Sequence, residues 1–434
     1  MALDCPCKRE SPRAFVVVPV VPALSSPYRR SAATDPNVDA GPLAFAVHSA
    51  AMNPRKCSLC LVLALALSCA CRKGQPPQVS AGQASDGRGP VIDSHTLIAP
   101  VEESIQTALD IFKRVGVVKF CNKNGGYLGS RGFAATLQIK HLLKEKFEFF
   151  VNVSWNRVEE PGWGEFEADR LEREVGFGAK GIKFFKAMGL AARDANEKLI
   201  HIDDPRFDPI MVKAAKLNVV VAIHVGDPKA FFEPPTPQNE RYDELKLAPD
   251  WSFYGQDYPS LAELWKQTEG LVTRHPNTTF LFIHLGMAED IDYMEKLLDA
   301  HPNVYLDTSA RVPEFGRLPV DKLRRFFTKF QDRILFGTDL SISPGHWQLG
   351  SVSETPVGPD DAVKFYQAHF RFFETDDKNI DHPTPIQGRW KVNAIHLPSQ
   401  VLRKLYHDNA EKLIFARKVT IPVVDPVDDN GPAH

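Results

Sequence analysis

The sequence predicts an α/β fold, a (β/α)8 barrel with long loops over its C-terminal face. Three observations carry that prediction. Short apolar runs alternate with stretches whose apolar residues recur at helical spacing, which is the pattern of parallel βαβ units. There are eight such runs, the number that closes a barrel and leaves no open sheet. Four of them end in a metal-capable side chain: VIDSH at His95, VVVAIH at His224, FLFIH at His284 and ILFGTD at Asp339. A barrel gathers its chemistry at the C-terminal ends of its strands, so these four residues are brought to one mouth.

The first run is 91–93, followed by 101–114 with Ile105, Leu109, Ile111 and Phe112 at helical spacing. The second, 115–120, leads through a Gly-rich loop into the helical stretch 133–146. The third is 149–154 and the fourth 182–185, with the charged helix 165–175 between them. Residues 209–217 form the helix before the fifth run, 219–224. Residues 261–274 lead into the sixth, 280–284; the seventh is 304–307 and the eighth 334–337, with helical patterns over 291–300 and 321–330. Every second residue back from each terminal ligand is small or apolar: Val220 and Ala222 for His224, Phe280 and Phe282 for His284, Leu335 and Gly337 for Asp339. The polar ends therefore share the face that looks toward the barrel axis. A lone histidine is more often a hydrogen-bonded structural residue than a ligand. Four polar ends in register favour chemistry instead.

At 434 residues, 43% of them hydrophobic, the chain can bury a core of barrel size. Its net charge of −2 gives no reason to expect nucleic acid as a partner. Six of the 7 cysteines, Cys5, Cys7, Cys57, Cys60, Cys69 and Cys71, precede residue 72, and only Cys121 follows. The barrel region therefore has no disulfide framework of its own. Cys57 and Cys60 form a CxxC with no second pair at zinc-ribbon spacing.

That pair opens a targeting pattern. From Met52 the chain gives Arg55 and Lys56, an apolar stretch over 59–67, then SCAC and a polar, Pro-rich segment. This is the order of a secretory signal, and the run is too short to span a membrane. With Cys69 or Cys71 after the apolar stretch, 52–71 resembles a bacterial lipoprotein signal, although neither cysteine has the preferred Leu three residues before it. The expected layout is an N-terminal extension at 1–51, disordered or preceding a true start at Met52, then the signal at 52–71. A flexible tether follows at 72–90, the barrel domain at 91–418 and a tail at 419–434. The implied location is the cell envelope or periplasm, with the membrane met only through a lipid on Cys69 or Cys71.

The stretches IDSH, GAKGIKFFKAMGL, VVVAIHVGDP, FLFIHLG, VYLDTSAR, RILFGTD and HDNAEKLIF, in that order over about 91–415, resemble the amidohydrolase superfamily, in its amidohydrolase-related branch of metal-dependent TIM-barrel hydrolases. In that branch an HxH after strand one, a His after strand five and an Asp after strand eight bind a divalent metal, commonly zinc. The resemblance thus implies His95, His224 and Asp339 as metal ligands, and Asp339 and His284 as catalytic residues. The sequence departs from the branch at one point: the HxH reads His95-Thr96-Leu97, with an apolar side chain in place of the second histidine. Three ligands remain, the number a catalytic zinc needs while keeping a position open. Zinc is the expected ion, with manganese or iron as alternatives, and Leu97 leaves a metal-free descendant open.

On this reading Asp339 takes a proton from water and delivers it to a leaving group, and His284 stabilises the oxyanion of a carbonyl-type substrate. Non-oxidative decarboxylation on the same barrel is the alternative reaction, and a catalytically inactive, envelope-anchored ligand-binding barrel the alternative function. Lys183, Lys186 and Arg311, with Lys123 and Asn124, suggest a cationic rim for a small acidic substrate. Lysines paired with neighbouring acids would look the same in sequence. Two inserts, 227–260 and 340–397, carry aromatic residues such as Trp347 and Phe370, and are expected to cover the mouth, with Trp347 against the substrate. A contact between copies in a homo-oligomer would use the same residues.

Overall fold

In the computed structural model, residues 88–225 and 228–421 are described. The signal-like segment, Cys69, Cys71 and most of the tether and tail lie outside them. Among the described residues no helix is long and apolar enough to cross a membrane.

Eight parallel strands form the barrel: β1 (Val91–Ile98), β2 (Val117–Asn122), β3 (Phe147–Asn152), β4 (Gly181–Phe184), β5 (Val220–Ile223), β6 (Thr279–Phe282), β7 (Val304–Asp307) and β8 (Ile334–Leu335). Each pairs with the next in sequence order. The ring closes where strand eight meets strand one. The Ser94 N–H donates to the Phe336 carbonyl at 2.9 Å, and the Asp339 N–H to the His95 carbonyl at 2.9 Å. Gly337 is required at this junction, because a Cβ there would lie 2.9 Å from the His95 Cβ. The GTD motif is thus partly a packing motif.

The predicted helices are present with small shifts. Leu261–Arg274 and Ile291–Ala300 keep the expected bounds, with Ser260 and Asp290 as side-chain N-caps. Glu102–Val115, Arg131–Leu143, Trp163–Gly176, Asp208–Leu217 and Val320–Lys329 move by one to three residues. The helices pack buried Leu, Ile, Val and Phe against the outside of the sheet in one large cluster. Small and medium residues, including Ile92, Val220, Ala222, Leu281 and Leu335, form a second cluster.

Several expectations are corrected. The first strand runs five residues past 93, so His95 and Leu97 sit within it and not beyond its end. The fourth strand stops at Phe184, which puts Lys186 outside the sheet at the start of a short helical turn. The insert after Asp339 is not only loop. It begins with a hairpin, β9 (Leu340–Ser343) and β10 (His346–Leu349), whose first strand adds in parallel to the outer half of β1. It continues as the helix Pro359–Glu374, on which Phe370, Phe372 and Phe373 are buried among Phe315, Phe327, Phe336 and Tyr406. These phenylalanines are core, because the helical repeat turns them inward. Trp347, on the hairpin, is partly buried against the main core cluster. The two inserts are also tied together: buried Arg241 bonds both Glu244 and Glu314, and the Ser351 hydroxyl donates to Glu244.

Candidate active site

Asp307, the last residue of β7, organises the mouth. One carboxylate oxygen accepts from the backbone N–H of His284 at 3.0 Å, from the Ser309 N–H at 3.1 Å and from the Ser309 hydroxyl. The other lies 3.0 Å from His95 Nδ1. Burial alone would raise the Asp307 carboxyl, but His95 foremost, with Ser309 and Lys123, holds it down at about 2. An ionised carboxylate can only accept, so the proton between the two sits on His95 Nδ1, which also approaches the Ser309 hydroxyl at 2.8 Å.

The other ring nitrogen of His95, Nε2, then carries a lone pair. Burial, foremost, and the neighbouring Lys183 lower this imidazole, so it is neutral. Nε2 lies 3.2 Å from Lys183 Nζ and 3.3 Å from Asp339 Oδ1. Burial lowers the Lys183 ammonium to about 8, while Asp339 and Asp307 resist that fall. His284 is likewise neutral, pushed well below its usual range by burial and then by His224. Its Nδ1–H donates to the Ser309 carbonyl at 2.9 Å. The three histidine rings adjoin, with His284 5.2 Å from His95 and 4.5 Å from His224 between ring centroids.

The backbone marks the same place. His284, Leu285, Ala310 and Asp339 all adopt positive φ, at 62°, 55°, 54° and 64°. Non-glycine residues rarely do so, and a cluster of them at strand ends is the kind of strain that functional sites hold. Below the mouth, buried Asp93 accepts from the hydroxyls of Thr338 and Tyr366, each at 2.6 Å, and from the backbone N–H groups of His95 and Thr338. Burial raises its carboxyl to about 6 despite these donors. Asp93 thereby links β1, the GTD loop and the helix of the second insert.

A family model described as amidohydrolase matches residues 158–415, more than half of the chain. The chain belongs to the amidohydrolase family. No curated protein matches it. Among solved structures it is similar to 2,6-dihydroxybenzoate decarboxylase from Rhizobium, at 16% identity over 58% of this chain and 87% of that one, with a TM-score of 0.36. It is also similar to 4-oxalomesaconate hydratase from Rhodopseudomonas palustris, at 13% over 75% and 96%, TM-score 0.41. A third is L-hydantoinase from Arthrobacter aurescens, at 12% over 76% and 73%, TM-score 0.40.

Amidohydrolases generally bind a divalent metal, and the donor chemistry here fits one. His95, His284 and Asp307 bring metal-capable atoms within 4.8 Å of one another. The Ser309 hydroxyl stands among these groups, 3.0 Å from His284 Nδ1, and already bonds to all three. On the other side of His95 the Nε2 lone pair and the Asp339 carboxylate converge, with His224 beyond His284. A neutral imidazole whose far nitrogen is pinned by a carboxylate is the usual form of a metal-binding histidine.

Of the remaining predicted residues, Lys183 is deep in the barrel against His95 and not on a rim. Lys123 is fully buried too, its Nζ 3.4 Å above the Phe150 ring. Lys186 reaches the insert instead, 4.9 Å from the Trp251 ring. Arg311 lines a cavity beside His284 with Trp265, Met287, Glu289 and Glu314. Trp347 is not among that cavity's lining residues. Asp307, Ser309 and Asp93 were missed. Asp307 ends the apolar run VYLD as the other four ligand candidates end theirs, so the signal was there; for Ser309 and Asp93 the sequence offers none.

Proposed function

We propose that this amidohydrolase is a metal-dependent hydrolase of a small, acidic substrate. The observation that supports it most is the pairing at His95: Asp307 on Nδ1, and a lone pair on Nε2 beside the Asp339 carboxylate. His95 through Nε2, His224 and Asp339 would hold the ion, zinc by preference of such a donor set and manganese or iron otherwise. When bound, such an ion supplies Lewis acidity that makes water a nucleophile near neutral pH.

The protein's own groups do the rest. Asp339, partly exposed at the mouth, accepts a proton from the attacking water and returns it to the leaving group. His284, its Nδ1–H held by the Ser309 carbonyl, keeps Nε2 as an acceptor, and stabilises the oxygen that gains charge once a proton from the reaction reaches that nitrogen. Arg311, which lines the cavity beside His284, supplies positive charge for an acidic substrate. Residues 52–71 would deliver the enzyme to the envelope on a lipid at Cys69 or Cys71, which the mass of the mature N-terminus tests.

The experiment is metal analysis of the purified protein, followed by screens for hydrolysis of small esters, lactones and amides and for decarboxylation of aromatic acids. Asp339→Asn is the control. Bound metal with turnover that the variant loses is the expected result, and the product separates hydrolase from decarboxylase. Identical behaviour of the two proteins would leave a ligand-binding barrel in its place.

A further inference from the structure

At His95 Nε2 two groups meet that should not tolerate each other without a third. The Asp307 carboxylate fixes the ring proton on Nδ1, so Nε2 offers a lone pair. The Asp339 carboxylate oxygen is 3.3 Å from that lone pair. Two acceptors at this distance, one of them on a fully buried ring, repel unless a proton or a cation lies with them. Lys183 Nζ is 3.2 Å from the same nitrogen, on a side chain 1% exposed that rises from the middle of β4. An ammonium donates from three hydrogens and carries the charge both acceptors lack.

We propose that Lys183 is an internal cation of this site, donating to His95 Nε2 while its charge offsets that of the nearby Asp339 carboxylate, and that it and a metal ion exclude one another at that nitrogen. The inference rests on the reading of the mouth as a metal centre. It adds that the centre is assembled by the chain itself and that an entering ion must displace a lysine.

Leu97 fits the same scheme. It occupies the position of the histidine that the family places two residues after His95, opposite Ser341 of β9. With one ligand removed and one ammonium supplied, the balance at Nε2 moves from a divalent ion toward the protein's own charge. Removing that ammonium should therefore have opposite effects on two quantities. Affinity for metal should rise, since the competitor is gone. Stability without metal should fall, since lone pair and carboxylate are left facing each other.

The test uses the full chain freed of metal by chelator, with zinc binding read by competition against a chromophoric chelator and thermal unfolding read alongside. Lys183→Met is expected to bind zinc at least tenfold more tightly than wild type and to unfold at lower temperature when metal is withheld, with zinc restoring it. Lys183→Arg keeps a cation and should retain weak zinc binding, which guards against a Met variant that fails to fold. Equal affinity in wild type and Lys183→Met, or tighter binding by wild type as if the lysine were itself a ligand, overturns the proposal. Zinc binding by none of the three, even with Leu97→His added, overturns the metal reading and this inference together, an outcome distinct from the first two.

Discussion

Asp307 and His95, 212 residues apart in sequence, share one proton across 3.0 Å, and that contact decides which nitrogen of His95 faces the barrel mouth. Asp307→Asn could donate as well as accept, so the ring would no longer be held in one tautomer. Metal affinity is expected to fall roughly 10- to 100-fold, the usual cost of losing such an orienting partner, with the barrel intact by circular dichroism. Chelator competition measures the loss. A far larger loss would make Asp307 a direct ligand, and no loss would deny it either role.

Leu97→His restores the second histidine of the HxH pair. If the rest of the donor set stands as described, zinc should bind at least tenfold more tightly, seen in the same competition. Unchanged affinity would mean that the side chain at 97 does not reach the ion's place.

Tyr366→Phe removes one 2.6 Å hydrogen bond from buried Asp93 while keeping the ring that packs on Phe112 and Phe336. The expected cost is about 1–3 kcal/mol, the range for depriving a buried polar group of a partner. Chemical denaturation with an unchanged slope would measure it, and a variant as stable as wild type would show Asp93 to be satisfied by Thr338 and backbone alone.

His369 lies on the same helix, sealed between Phe336 and Phe365, and burial lowers its imidazole to about 4. The unfolded chain binds a proton near pH 6.5 and the folded one does not until about pH 4. Between those values unfolding takes up a proton, so stability falls as pH is lowered through this window, by about 3 kcal/mol in all. His369→Leu should flatten the difference between stability at pH 6.5 and at pH 4 relative to wild type. An equal slope in both proteins would assign the acid sensitivity elsewhere.

The barrel was legible because apolar strands and amphipathic helices have different periods, and the alternation survives even where strand bounds move by two residues. β1 was read too short because its outer half alternates polar and apolar residues, Thr96 against Asn122 and Leu97 against Ser341, and pairs partly with a hairpin that sequence gives no cause to expect. The strand-end histidines and Asp339 stood out because a polar group after a buried run has few bland explanations. Asp307 shared that signal but was overshadowed by them. Lys183 reads from sequence as part of a cationic rim, since nothing local to GIKFFK says that its charge is met by residues 88 positions before it and 156 after. The phenylalanines of 370–373 were misjudged because an insert's aromatics carry no mark of which side they face until its helix is known.

The seam between the first and last strands runs through His95, whose carbonyl accepts from Asp339 and whose ring nitrogen meets the same residue's carboxylate. A chain ending at residue 333 would have seven strands, the three site histidines, Asp307 and the residues that line the cavity beside His284, yet neither Asp339 nor the strand that closes the ring. The carboxylate that faces His95 Nε2 is therefore added last, together with the strand that finishes the ring. A ligand that needs His95 and Asp339 together reports on whether the ring has been completed.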